Sequence, residues 1–473
     1  MRLPLTPTVA VSPLVIKRPI NNLLLMTEGN LQRKLGLFPA TNIVIANMIG
    51  AGIFTTSGLL LAGLNDPILM LVLWVVGGII AVCGALSYGE LGAAMPGAGG
   101  EYLFLSKLYN PLFGFLSGWV SFLVGFSAPI AASALGFSEY FCRAVPGLPG
   151  WLDKTGTMNP VVTGKLLAVT IILIFTFIHY RGIKYGARMQ NILTVLKVAL
   201  ILFFLISGFA SGNGDFGNFN EGGKIASGLA GWKTIGLSLM WIMFAYSGWN
   251  ASTYLGAEIK NPSKTLPRSL LYGTGIVIIL YLGINILFVY GIEPEQMKGV
   301  ISVGGLVMGN LFGKSADILF SLLIAFALFS SLSAFIIIGP RVYYSMAKDG
   351  LFFKSAAIVH KKFGVPSNSI LLQCVIAVIL VLSGTFEQVL TYMGFALGIF
   401  PVLTVLGVFK LRTSSKWTIK LPGFPITQII YIIAGVMILT LSFLERPLES
   451  SIALGTVLIG IPAYLVFKRK LLN

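Results

Sequence analysis

Charged residues are scarce in this 473-residue chain, at 10%, and histidine occurs only twice and cysteine three times. A soluble domain is ordinarily about a quarter charged, so the scarcity argues against a set of water-exposed domains. Cys83, Cys142 and Cys374 lie far apart in apolar surroundings. They exclude a disulfide framework or a cysteine metal site and are expected to be small core residues. His179 and His360 have no metal-ligand spacing and are expected to be solvated near helix ends. With no nucleophile–base pair and no metal cluster, an enzyme is disfavoured and no cofactor is expected. Two nucleotide-like motifs also fail. Gly50-Ala51-Gly52-Ile53-Phe54-Thr55 lacks the final glycine and a preceding strand, and Gly313-Lys314-Ser315 has Met308 where a phosphate loop needs its first glycine.

What is abundant is apolar surface: hydrophobic residues make up 56% and mean hydropathy is +0.89. The lipid bilayer is the expected solvent. The 55 glycines suit close helix packing there. A net charge of +17 raises nucleic acid as a partner, but the basic residues fall between apolar segments and form no basic face, which excludes it. Scanning for runs of about 20 apolar residues predicts about twelve spans, near 42–63, 68–93, 112–141, 163–181, 190–210, 234–257, 268–291, 316–346, 369–384, 388–408, 425–444 and 450–467. These runs are too long and too little alternating for barrel strands, so the fold class is an all-α integral membrane protein. When the spans alternate in direction, 24 of the 33 basic residues fall on the side of the N-terminus and about 8 opposite, which predicts both termini cytoplasmic. The inner clusters include Arg181, Lys184 and Arg188, and Lys410, Arg412, Lys416 and Lys420. No signal peptide is evident in residues 1–30, and residues 1–25 read as a dispensable tail or a misassigned start.

Two spans carry interruptions. The first reads Ile45-Ala46-Asn47-Met48-Ile49-Gly50-Ala51-Gly52-Ile53-Phe54 and the sixth Phe244-Ala245-Tyr246-Ser247-Gly248-Trp249-Asn250. Glycine weakens a helix interior, and unwound backbone at membrane depth is tolerable only where it lines a cavity. Each interruption opens a block of five helices, and an odd number inverts the second block, the pattern of an inverted repeat with its site where the broken helices meet. Ordinary close-packing glycines are the blander reading. An α-amino acid suits such a site: amides near Ala51 and Gly52 favour its carboxylate, while carbonyls near Met48 and Ile49 and of Phe244, Ala245 and Ser247 can accept from its ammonium. No carboxylate is firmly placed to recognise a cationic side chain, which favours neutral substrates. Lys197 interrupts the fifth span. It either snorkels, nine residues past Arg188, or has a buried partner.

These motifs resemble the amino acid-polyamine-organocation superfamily and, within it, the L-type amino acid transporter branch. The resemblance runs from about Leu35 to Asn368 and rests on the two interrupted motifs, Tyr88-Gly89-Glu90-Leu91, Gly99-Gly100-Glu101-Tyr102, Glu258 with Asn261-Pro262 and Pro267, and Arg341 with Asp349-Gly350. It implies a LeuT-like five-plus-five inverted repeat plus two helices: a tail at 1–35, repeats at 36–211 and 212–408, and two further spans within 409–473. It also implies sodium-independent amino acid transport, often by exchange, across a cell membrane. Phe244 would help gate the substrate, with Trp249 in the adjoining turn. The Lys197 ammonium would replace sodium, bonding carbonyls near Asn47 and Met48 and hydroxyls such as Ser330, Ser331 or Ser333, either as a fixed charge or with proton coupling. Glu90, Glu101, Glu258 and Arg341 are expected in end-of-helix salt bridges or caps that serve an inner gate. Gly50-Ala51-Gly52 departs from the family's Gly-Ser-Gly, and Ser247 stands where some members carry glycine or an acid. The loop at 145–160 has no cysteine for a disulfide-linked heavy chain, so none is expected. Proton symport by the same fold and a non-transporting sensor or channel are the alternatives.

Overall fold

In the computed structural model, the described residues are 33–146, 160–181, 186–223, 225–360, 365–413 and 420–472. The expectations for the N-terminal tail and for most of the 145–160 loop, Lys184 and Lys416 lie outside them. Among the described residues, eleven helices are long and apolar enough to cross a membrane: Leu37–Leu64, Pro67–Ala94, Pro111–Ala144, Val161–Tyr180, Gln190–Ala210, Gly228–Ala245, Pro262–Gly291, Lys314–Lys348, Phe386–Thr413, Ile426–Glu445 and Pro447–Arg469. The shorter apolar helix Ser367–Ser383 stands ninth in order and completes the expected twelve. No strand occurs among the described residues, and the chain is a multi-pass, all-α membrane protein. Below, the spans are numbered in this order; the near side is the end at which the first begins.

Starts and stops follow local chemistry. The Asp66 side chain accepts the Leu69 amide at 2.9 Å with Pro67 in the first turn, and Asn110 caps the third span likewise before Pro111. Both are good N-terminal signals because they fill amides that have no partner within the helix. The third span is not uniform: a π-helical turn at Ser121–Gly125 separates Pro111–Val120 from Ser127–Ala144. A widened turn of this kind often marks a functional position.

The first and sixth spans are the interrupted ones. Helix ends at Met48, passes through Ile49 and Gly50 in extended conformation, and restarts at Ala51. The sixth span ends as an α-helix at Ala245 and continues in short 3-10 turns, Ala251–Tyr254 and Gly256–Glu258. The expected span to 257 is thus helical only in its first part. Gly248 has φ of +99°, and a Cβ there would stand 2.7 Å from the carbonyl carbon of Asn47. Only glycine satisfies both conditions. The near ends of the two interrupted spans are also tied through backbone: the Lys34 and Leu35 amides donate to Glu258 O at 2.9 and 3.0 Å, and Lys260 donates to Leu35 O at 2.8 Å.

Candidate substrate site

The two interruptions meet. A Cβ on Gly52 would lie 2.6 Å from Ala245 Cα, so the second half of the first span packs directly on the end of the sixth. Three carbonyls at this junction, those of Met48, Ile49 and Ala245, are engaged by side chains. Ile49 O accepts from the Lys197 ammonium at 2.6 Å and from Ser331 Oγ at 2.9 Å, and Lys197 also bonds Ser331 Oγ at 2.8 Å. The Tyr281 hydroxyl reaches Met48 O at 2.5 Å and Ala245 O at 3.0 Å. In contrast, the amides of Ala51 and Gly52, which open the second half-helix, have no hydrogen-bond partner among the described residues. The junction therefore keeps free donors at a helix N-terminus beside acceptors that are already occupied.

Lys197 is 2% exposed. It does not snorkel. No acidic side chain pairs with it among the described residues, so its charge is met by oxygen dipoles on the first and eighth spans. The partners differ in detail from those expected. Asn47 folds back to Ile43 O at 2.8 Å, Met48 O is taken by Tyr281, and Ser330 binds Gln190 at 3.2 Å. Ser333 meets His179 at 3.0 Å. That last contact corrects the reading of His179 as solvated: it is 3% exposed, because the fourth span packs its end against the eighth. His360 is half-buried, with its ring 5.8 Å from that of Tyr180. Cys83 and Cys374 are buried and Cys142 partly so.

On the far side the junction is closed. The Tyr140 hydroxyl donates to Phe54 O at 2.6 Å and receives the Gly304 amide at 3.1 Å. Ser57 donates to Asn285 Oδ1 at 2.7 Å, and Gly299 donates to Gly58 O at 2.9 Å. Arg143 forms a two-pronged ion pair with Asp317 at 2.6 and 2.8 Å. Segment 297–304 thus caps the second half of the first span.

On the near side lies a cavity of about 130 Å³, against the roughly 10–15 Å³ that one water needs by the same measure. Asn47, Phe244, Ser247 and Trp249 line it, as do Ser121 and Gly125 of the π turn. Of the expected contact residues, Phe244 and Ser247 face this cavity, whereas Met48, Ile49, Ala51, Gly52 and Ala245 form the packed junction above it. Trp249 is 4% exposed, with its ring 4.7 Å from Tyr88 and 5.8 Å from Tyr431.

The carboxylates at the near ends divide sharply. Glu90, 1% exposed at its side chain, receives two bonds from Arg412 at 2.7 and 2.6 Å. Glu258 stands 3.9 Å from Arg341, a looser pair. Glu101 stands at a helix end as expected, opening the short helix Glu101–Leu108, but the expected salt bridge is corrected, because among the described residues no cation pairs with it. It accepts from Tyr88 Oη at 2.7 Å, Asn250 Nδ2 at 3.0 Å and Ser117 Oγ at 3.4 Å, and it lines the cavity. Burial pushes its carboxyl up to about 7, with the three donors pulling the other way. A carboxylate therefore lines this cavity, where the sequence reading places none. Sequence reasoning also missed Tyr281 and the π turn. Tyr281 and Asn285 are polar residues four apart within an apolar run, one helical face, and that spacing was the available signal.

Residues 35–463 match a family model described as amino acid permease. The chain is 28% identical over 445 residues to the mouse b(0,+)-type amino acid transporter 1, covering 93% of this chain and 88% of that protein. Identity is 28% over 455 residues to the human large neutral amino acids transporter small subunit 2, with 92% and 80% covered. It is also 28% over 454 residues to the serine/threonine exchanger SteT of Bacillus subtilis (strain 168), with 94% and 99% covered.

Proposed function

Since the chain belongs to the amino acid permease family, we propose that it is a sodium-independent secondary transporter that exchanges neutral L-amino acids across the cell membrane by alternating access. The observation that carries this reading is the Lys197 ammonium on Ile49 O and Ser331 Oγ. An ammonium on first-span and eighth-span oxygens stands in for a transported sodium ion in this reading. The relatives include a protein named a serine/threonine exchanger and one named for large neutral amino acids, which supports exchange and neutral cargo.

Substrate chemistry follows from the junction. The free amides of Ala51 and Gly52 suit a carboxylate, with the half-helix dipole behind them. Met48 O and Ala245 O suit an ammonium once Tyr281 yields them. The hydroxyl has one proton and cannot donate to both carbonyls at once, so one acceptor is always less than fully held. Phe244 and Ser247 meet the cargo on the near side. Side chains are then selected by an apolar wall that includes Ile80, Met243, Phe335 and Ile338. Residues 36–211 and 212–408 form the two inverted repeats in this reading. Opening the near side parts Glu258 from Arg341, and opening the far side parts segment 297–304 from the first span. Both termini lie in the cytoplasm, and no disulfide-linked heavy chain is required.

Uptake of radiolabelled amino acids into proteoliposomes tests this reading. Uptake should need internal amino acid and be indifferent to sodium. A sodium requirement, or full uptake into empty vesicles, would overturn it.

A further inference from the structure

Glu101 is a carboxylate 7% exposed, with neutral donors on three sides and a cavity on the fourth. Among the described residues, the groups that face it are uncharged. Tyr88 comes from the second span, Ser117 from the third, Asn250 and Tyr254 from the unwound part of the sixth, and Tyr431 from the eleventh. The tenth span also packs on its short helix, Glu101–Leu108, but the cations of that span are committed elsewhere: Arg412 to Glu90, and Lys410 over the Tyr109 ring. On its own helix, Tyr102 bonds Asp349. A buried, unpaired carboxylate is costly and takes up a proton when one can reach it.

Resting on the exchange reading above, we propose that Glu101 is a proton-binding site of the transport cycle, and that its protonated form releases the tie between the second, third and sixth spans at the near end of the cavity. The proton comes from water in the cavity, forms an O–H bond on Oε2, and returns to water when the carboxyl ionises again. Oε2 is the receiving atom because its one protein donor, Ser117, is 3.4 Å away, whereas Oε1 holds both Tyr88 and Asn250. Hydrogen bonds to an ionised carboxylate are roughly twice as strong as those to a neutral acid. Protonation therefore weakens the grip of Oε1 on Asn250, which lies just beyond the sixth-span interruption and opposite Phe244 and Ser247 along the same cavity. The carboxyl sits between the second and third spans and titrates up at about 7, so the change falls in the neutral range.

The test is amino acid exchange by the full-length protein in proteoliposomes loaded with substrate, at equal pH on both sides. Exchange should be faster near pH 6 than near pH 8, by up to about tenfold, the change in protonated fraction of a single group centred at neutrality. E101Q should exchange at a rate that no longer varies with pH. S117A, which loses a donor to the ionised form, should shift the midpoint to more alkaline pH. A flat wild-type profile, an E101Q profile identical to wild type, or an unmoved midpoint in S117A would overturn the proposal; S117A serves if E101Q does not fold. Infrared difference spectra provide a readout independent of transport. A protonated-carboxyl band that titrates near neutrality and vanishes in E101Q supports the site even if no exchange is found, and its absence from the wild type sinks the site whatever the exchange rate.

Discussion

The Lys197 ammonium lies 2.6 Å from the carbonyl oxygen of Ile49, the residue at which the first span unwinds. The charge and the interruption are therefore one feature. Unwinding exposes the carbonyl, and the carbonyl makes a buried lysine tolerable. K197A should cut exchange about tenfold or more, from the 1.5–3 kcal/mol typical of a hydrogen bond to a charged group. The protein should still elute as a folded species in size-exclusion chromatography, because Ser331 continues to serve Ile49 O. Unchanged uptake by folded K197A would remove the lysine from the transport cycle.

Tyr281 ties both interrupted spans with one hydroxyl. Y281F removes the one proton that Met48 O and Ala245 O share, a loss of about 1–3 kcal/mol. A lower Tm is expected and, because Met48 O and Ala245 O no longer have to be yielded to the substrate ammonium, a KM lowered about tenfold, measured by thermal unfolding and concentration-dependent exchange. A variant with wild-type KM would show that these carbonyls do not meet the substrate.

Gly50 and Gly52 look equivalent in sequence but are not in space. A Cβ on Gly50 would make an ordinary contact, 3.7 Å from Ser331 Oγ, whereas one on Gly52 would collide with Ala245 backbone. G50A should remain folded and active. G52A should lose exchange, because overpacking forces the two spans apart. Equal behaviour of the two variants, read by uptake and by yield of folded protein, would contradict the packing.

Glu101 also links stability to pH. Its carboxyl titrates at about 7 in the folded protein against an ordinary 4.5. At pH values below 4.5 it is protonated folded or unfolded, and the stability belonging to this group is complete. As pH rises toward 7 the unfolded chain ionises first, so that stability is progressively lost, by on the order of 3 kcal/mol in all. Thermal unfolding across this range should show wild type falling relative to E101Q. Parallel curves would mean that the carboxyl is not held neutral by the fold.

Much of the architecture could be read from the chain because the bilayer imposes a length on apolar runs, and the glycines at 50, 52 and 248 announced where two runs would break. Less could be read wherever a side chain's partner comes from a distant span. Glu101 follows two glycines at the end of a loop, the usual setting of a solvated cap, and only the approach of Tyr88, Ser117 and Asn250 makes it a cavity wall. His179 similarly reads as an end-of-helix residue until the eighth span brings Ser333 to it. The choice of Ser331 over Ser330 and Ser333 for Lys197 is a matter of helical phase. Three hydroxyls within four residues look alike in sequence, yet they point to Lys197, Gln190 and His179 respectively.

The Tyr140 phenol joins three pieces of chain at one oxygen: its own span, Phe54 O and the Gly304 amide. Rotating it out of place costs both bonds together, and the next turn of the same helix, Ser57 and Gly58, is held in turn to the seventh span and to segment 297–304. Partial opening therefore gains little, and the far side behaves as shut or fully open. A carrier with that property resists slippage, the idle return that would let a gradient drain through an empty protein.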